Sequence, residues 1–191
     1  MVPVQEVDPA EPISPYGESK RMIEWMLQSY HRAYGIRYVA FRYFNACGAD
    51  AMTRHGQEEG ATHIIARLLE SIRDDQEFTL MGTDYDTQDG TCIRDYLHVT
   101  DIANAHVRAL SDDVDSGVYN LGSGQGISNQ EIIAAVSEVL QVNPRVRVAA
   151  RRSGDPAMLT ASSDKFRLAS GWQPEYALSD IITTAWKWYN R

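Results

Sequence analysis

The chain reads as an α/β protein on three observations. Stretches with apolar residues at helical spacing alternate with short β-branched and aromatic runs, and the connections between them are short. The longest of the β-type runs ends in a polar turn, the edge of an open α/β sheet at which ligands sit. At 191 residues, 43% hydrophobic and 23% charged, the chain can bury a real core in one domain or a domain with an appendage.

Taken in order, a short polar lead precedes Pro15. Beyond it Met22, Trp25, Met26, Ser29 and Ala33 predict a helix over about 16–34, ended by Gly35. The run Ile-Arg-Tyr-Val-Ala-Phe-Arg-Tyr-Phe over 36–44 predicts a strand, followed by Asn45-Ala46-Cys47-Gly48 as a polar turn. Ile64, Ile65, Leu68, Leu69 and Ile72 predict a helix over 61–73, and residues 77–81 a short strand. A turn-rich loop covers 82–91. Thr100-Asp101 can cap a helix running to Leu110, and residues 117–121 predict a strand ended by Gly122-Ser123-Gly124-Gln125-Gly126. Ser128 and Glu131 form a capping box before Ile132, Ile133, Val136, Val139 and Leu140. Residues 145–150 alternate as a strand, Gly171-Trp172 closes a short helix, and residues 178–189 make a last amphipathic one.

The net charge of −8 argues against a general nucleic-acid binder, although it leaves room for a local arginine pocket. Cys47 and Cys92 share no metal or redox spacing, so two reduced thiols and a cytoplasmic location are expected. No apolar run is long enough for a membrane span, and the acidic, polar N-terminus is not a signal or transit peptide. His63, His98 and His106 match no ligand spacing, and the Asp84, Asp86 and Asp89 loop lacks the marks of a calcium site, so no metal is expected.

Chemistry concentrates at Ser14-Pro15-Tyr16-Gly17-Glu18-Ser19-Lys20. On a helix, residues four apart lie one above the other, so Tyr16 and Lys20 reach the same place. A phenol ionises near pH 10 and a neighbouring ammonium lowers that value; bringing it to about 7 takes roughly 4 kcal/mol. Tyr16 is thus a candidate general base with Lys20 as its partner, against the alternative of two unrelated surface residues. Arg94-Asp95-Tyr96 and Arg151-Arg152-Ser153-Gly154-Asp155, read as loops that follow strands, carry arginines suited to a pyrophosphate, or else surface ion pairs with Asp95 and Asp155. No strand-then-Gly-x-Gly-x-x-Gly turn opens a helix, and the 122–126 glycines have the wrong spacing for one.

These residues, in this order, resemble the UDP-glucose 4-epimerase family of extended short-chain dehydrogenases/reductases. The Tyr16-x-x-x-Lys20 segment, Arg42-Tyr43-Phe44-Asn45, and Gly82 to Thr87 continued by Gly90 to Val99 carry the likeness. Ala61-Thr62-His63, Tyr119-Asn120-Leu121-Gly122, Arg152-x-x-Asp155 and Gly171-Trp172-Gln173-Pro174 complete it. The resemblance implies NAD as cofactor and a UDP-sugar as substrate. Tyr16 would take the proton of the sugar 4-hydroxyl as hydride leaves C4, the 4-keto sugar would turn over, and the hydride would return to its other face. Lys20 would hold the nicotinamide ribose, and Tyr43 and Phe44 would lie beside the nicotinamide. Asn45, Thr62 and His63 would meet the substrate, Thr79, Leu80 and Met81 would pass the uracil, and Arg94 and Arg152 would grip the pyrophosphate. Tyr96 would pack near them, Asp155 would take the uridine ribose, and Leu159 falls where relatives limit the bulk of the sugar, which leaves sugar specificity open.

The resemblance also implies a C-terminal portion. Residues 1–60 would be the remainder of a Rossmann-like NAD-binding domain. Residues 61–191 would form mainly a smaller α/β UDP-sugar region that crosses back to the sheet near 98–122. Members of the family begin with roughly 130 residues holding the glycine-rich turn, the ribose acid and a serine or threonine beside the tyrosine. A homodimer, built in the family on the helix bearing Met22, Trp25 and Met26, and a separate N-terminal half are the partners implied. Galactose metabolism is the implied context. A redox-inactive UDP-sugar-binding module and a related nucleotide-sugar dehydratase or decarboxylase are the alternatives.

Overall fold

The structure, a computed structural model, describes residues 2–191; Met1, the first residue of the lead, lies outside them. Its elements run α1 (Pro15–Tyr34), β1 (Val39–Tyr43), β2 (Asn45–Cys47), α2 (Ile64–Arg73), β3 (Phe78–Met81), β4 (Ile93–His98) and α3 (Val99–Ala109). Then follow β5 (Gly117–Leu121), β6 (Gly126–Ser128), α4 (Asn129–Leu140), β7 (Val146–Ala149), β8 (Met158–Leu159), α5 (Asp164–Ser170) and α6 (Leu178–Tyr189). Parallel pairs join β1 to β5, β2 to β4, β3 to β7 and β4 to β8, while β6 pairs with β4 antiparallel. Helix and strand alternate, as the sequence predicts, and the sheet is of the Rossmann-like α/β kind.

Three local expectations need correction. Asn45 to Cys47 is a strand, not a turn, because after β1 the chain changes partner: Phe44 N–H still bonds to the Leu121 carbonyl, and Asn45 then pairs with Tyr96 on β4. The stretch through Arg94, read as loop, is a six-residue strand with partners on both sides. The helix after it is capped by His98, whose Nδ1 accepts from the Thr100 N–H at 3.0 Å, and not by Thr100-Asp101. Asp101 lies one turn further in and accepts from the N–H groups of Glu175 and Tyr176 at 3.0 and 3.2 Å.

Helix α1 starts where Ser14 caps the Gly17 N–H and stops at Gly35, whose φ of +67° is left-handed. Its one buried side chain is Glu24, while Met22, Ile23, Trp25 and Met26 are all about half exposed. The charged residue faces in because Arg42 on β1 meets it with a two-pronged fork, 2.7 Å on each prong, and Arg21 adds a third bond at 2.6 Å. Burial works against the charged form of Glu24, but the bonds from the two arginines outweigh it and hold the carboxyl below its usual range. That fork ties the helix carrying Tyr16 to the strand leading to Asn45.

The N-terminal lead is also tied down: Val4 exchanges backbone bonds with Thr160 and Ser162, and Glu6 accepts from the Asn120 N–H at 2.8 Å. One apolar core lies among α2, α4 and α6 with β3 and β4, built on Ile65, Leu68, Leu69, Leu80, Ile132 and Ile181. A second, with Leu97, Tyr119, Leu121, Phe166 and Trp172, fills the space between the β1–β5 pair and helices α3 and α5. Strand β4 contributes to both, through Tyr96 and Leu97. Alternation along that one strand therefore orients Arg94 and Tyr96 together and Asp95 the other way.

Where β4 hands over to α3, His98 is fully buried. It lies stacked on Tyr176 with ring centroids 4.1 Å apart, and its Nε2 is 2.9 Å from the Thr184 hydroxyl. Because Nδ1 accepts, the proton sits on Nε2 and the ring is neutral. Gly48, at φ +82°, is needed here, since a Cβ on it would come within 2.6 Å of the imidazole. Burial lowers the His98 pKa, against the pull of Asp101 and Asp180. The unfolded chain therefore takes up a proton before the folded one does, and stability is lost as pH falls below 6.5. His63, lowered by burial against Glu70, acts in the same direction. Melting curves of the parent and His98→Gln between pH 7.5 and 5.5 should show a shallower fall in the variant; parallel slopes would remove His98 from this role.

Candidate functional site

A polar cleft of about 280 Å³ opens between β3, β4, the start of α2 and the 152–155 turn. It brings together residues far apart in the chain. Asn45, Thr62 and His63 line one part, Thr79, Leu80 and Met81 another, and Arg94, Tyr96, Arg152 and Asp155 a third. Leu159 is not on this lining, although it pairs in register with Arg94 across β8 and β4. Sequence reasoning did not single out Ile64, Arg67, Phe78, Cys92 or Asn129, which also line the cleft. The signal for Arg67 was present: it lies four residues after His63, the cap residue of α2, in the first turn of that helix.

Each group is held from behind. The Asn45 side-chain amide donates to the Asp95 carbonyl at 2.7 Å, which fixes the side chain on the cleft wall. Arg94 is largely buried, donating to the Ile93 carbonyl at 2.7 Å and to Asp155 Oδ1 at 2.5 Å. Its ion pair is therefore with the partly exposed Asp155, not with its neighbour Asp95. Arg152 is exposed and makes no ion pair among the described residues. His63 Nε2 lies 3.3 Å from the side-chain amide oxygen of Gln57, to which it donates, and burial lowers its pKa. Tyr96 is 4% exposed, and burial pushes its phenol well above the ordinary value, so it stays protonated. Cys92 lies in the cleft wall with the Asn129 amide against its sulfur at 3.2 Å, and burial raises its pKa; it is a packed thiol rather than a nucleophile.

Asp95 points away from the cleft and has no exposed surface. Its carboxylate accepts from Ser123 N–H and Oγ at 2.7 Å each, Gly124 N–H at 3.1 Å and Ala161 N–H at 3.2 Å. The glycine loop at 122–126 is thereby folded around a carboxylate of the chain itself, and a Cβ at Gly122 would come within 2.5 Å of that carboxylate.

The tyrosine–lysine pair lies elsewhere. Tyr16 is 72% exposed at the start of α1, with Lys20 Nζ 5.1 Å from its ring centroid, and neither lines the cleft. Tyr43, half exposed at the end of β1, is 2.8 Å from His106 Nε2. His106 Nδ1 donates to the Ile102 carbonyl, so Nε2 accepts and the Tyr43 hydroxyl donates. Phe44 is half-buried at the partner change. Among the described residues no three His, Cys, Asp or Glu side chains gather as a metal ion would need, and no helix is long and apolar enough to cross a membrane. Both cysteines are free and buried.

A Rossmann-like α/β frame with a Tyr-x-x-x-Lys helix and a polar cleft across its strand ends has the character of the extended short-chain dehydrogenases/reductases. Residues 2–122 match the model of the NAD dependent epimerase/dehydratase family, and the chain belongs to that family. The UDP-glucose 4-epimerase of Halalkalibacterium halodurans is 44% identical over 98% of this chain and 58% of its own length. That of Rhizobium meliloti is 42% identical over the whole chain and 60% of its own length. The chain thus spans about three-fifths of the length of these relatives. Among solved structures, the UDP-glucose 4-epimerase of Stenotrophomonas maltophila with bound NAD and formylated UDP-arabinopyranose superposes with a TM-score of 0.94 at 32% identity. The match covers all of this chain and 59% of that one. The enzyme of Bifidobacterium longum in complex with NAD+ and UDP gives 0.88 at 32% identity, with the same coverage.

Proposed function

We propose that this chain carries the UDP-sugar site and the proton-transferring tyrosine of a UDP-glucose 4-epimerase, which interconverts UDP-glucose and UDP-galactose. The observation that supports this most is the single cleft that collects Asn45, the Thr79–Met81 strand, Arg94, and Arg152 with Asp155 from four separate segments. A strand offering backbone groups suits a uracil, two guanidinium groups suit a pyrophosphate, and a carboxylate suits ribose hydroxyls.

The residues for the cofactor's nicotinamide end fit it. Tyr16 and Lys20 project from one face of α1 with their polar groups open to solvent, and the Arg42–Glu24 fork fixes that helix to the strand bearing Tyr43 and Phe44. NAD, when bound, supplies the acceptor and donor of the C4 hydride. Tyr16 takes the 4-hydroxyl proton and later returns it, Lys20 favours the phenolate by charge, and the cleft holds the UDP moiety while the 4-keto sugar turns. The exposure of Tyr16 favours a second reading for the chain acting alone, a UDP-sugar-binding module without the redox step.

Calorimetric titration with UDP tests the site. Arg94→Ala removes a buried, doubly hydrogen-bonded cation and should weaken UDP about 10–100-fold. Arg152→Ala removes an exposed one without an ion pair among the described residues and should cost only about 3–10-fold. Unchanged titrations for both variants would remove the pyrophosphate assignment.

A further inference from the structure

The bonds around Asp155 implicate a residue that does not line the cleft. Asp155 Oδ1 accepts from Arg94, and its Oδ2 accepts from the Tyr85 hydroxyl at 3.3 Å. Tyr85 belongs to the 82–91 loop and is 5% exposed. Its N–H donates to the Gly90 carbonyl at 2.9 Å, and the Arg151 guanidinium lies 5.6 Å from its ring centroid. Gly82, at φ +81°, brings the backbone so near that a Cβ would stand 2.6 Å from the ring edge. The ring is thus gripped by its own loop and by the strand end that leads to Asp155. Burial, with the Asp155 charge behind it, raises the Tyr85 pKa, so the hydroxyl remains a donor.

We propose that Tyr85 is a positioning residue: its hydroxyl holds the Asp155 carboxylate in place to receive the ribose hydroxyls of a nucleoside diphosphate, and keeps it from closing with both oxygens on Arg94. A planar guanidinium pairs most strongly with a carboxylate through two parallel bonds. Arg94 now gives Asp155 one of its nitrogens and gives another to the Ile93 carbonyl. Without the phenol, Oδ2 is free to turn onto the guanidinium. An acceptor for ribose and a donor for pyrophosphate are then lost together. The inference rests on the nucleotide-sugar reading of the cleft.

The experiment compares UDP with 2′,3′-dideoxyuridine diphosphate, titrated into the full chain and into Tyr85→Phe, which keeps the ring and its packing. The parent should prefer UDP, and the variant should lose at least about fivefold of that preference with its melting temperature nearly unchanged. In an Asp155→Ala background, Tyr85→Phe should leave the preference where it is. An unchanged preference in Tyr85→Phe, equal losses for both ligands, or a further drop in the Asp155→Ala background would each overturn the role of Tyr85. A parent chain that binds neither ligand would overturn the nucleotide-sugar reading itself and this role with it.

Discussion

Replacing Tyr16 by phenylalanine is expected to cut the interconversion of UDP-glucose and UDP-galactose by about 10²–10⁴-fold, the usual contribution of a positioned acid–base group. The loss should fall on turnover. Tyr16 is 72% exposed and is not among the residues that line the cleft, so UDP affinity should change by less than about twofold. Phenylalanine keeps the ring over which the Lys20 ammonium lies and removes only the group that moves the proton. The assay supplies NAD and is run with and without the N-terminal half of a relative added in trans. Turnover in both arms that survives Tyr16→Phe sinks the assignment of the base. Turnover in neither arm, with UDP still bound by the unsubstituted chain, supports the binding-module reading instead.

The second large effect is on stability. Asp95→Ala should destabilise the fold by about 3–5 kcal/mol, because it strands three backbone N–H groups and a hydroxyl that now share one buried carboxylate. The loss spreads to the cleft. Asp95 lies between Arg94 and Tyr96 on β4, and its carbonyl holds the Asn45 amide. Loosening the 122–126 loop and Ala161 frees two of that strand's three partners, β6 and β8. Urea denaturation measures this as a lower midpoint with the slope kept. A loss under about 1 kcal/mol would mean that water replaces the carboxylate without strain.

Two expected arginine contacts turned out differently. The alternative to a pyrophosphate site was a surface ion pair of Arg94 with its neighbour Asp95 and one of the 151–152 arginines with Asp155. Arg94 takes Asp155 instead, and Arg152 makes no ion pair among the described residues. In a strand, adjacent side chains point to opposite faces, so Arg94 and Asp95 cannot meet across β4. Asp155 reaches Arg94 across 61 residues of chain instead. The same alternation explains why the 93–98 strand was hidden. Its polar residues Arg94, Asp95 and His98 read as loop, yet all three are satisfied inside by Asp155, the 122–124 backbone and Thr184. Helix α1 carries the converse lesson. Its periodicity predicted the helix correctly, but the apolar face that such a pattern ordinarily buries is the exposed one, and Glu24 is inside.

What the sequence alone determined is the local part: helices from period and caps, the α/β class from alternation, and the family from the order of Tyr16-x-x-x-Lys20, Asn45, the 82–99 stretch and Arg152-x-x-Asp155. Each of those signals is a short run of neighbouring residues, so local spacing carries it. The tertiary structure alone decided which charges meet, which strand changes partner at Phe44, and that one cleft gathers the arginines while Tyr16 stands outside it. These depend on contacts between segments tens of residues apart. Such contacts are set by the face each side chain takes in the packed sheet, and no local pattern encodes them.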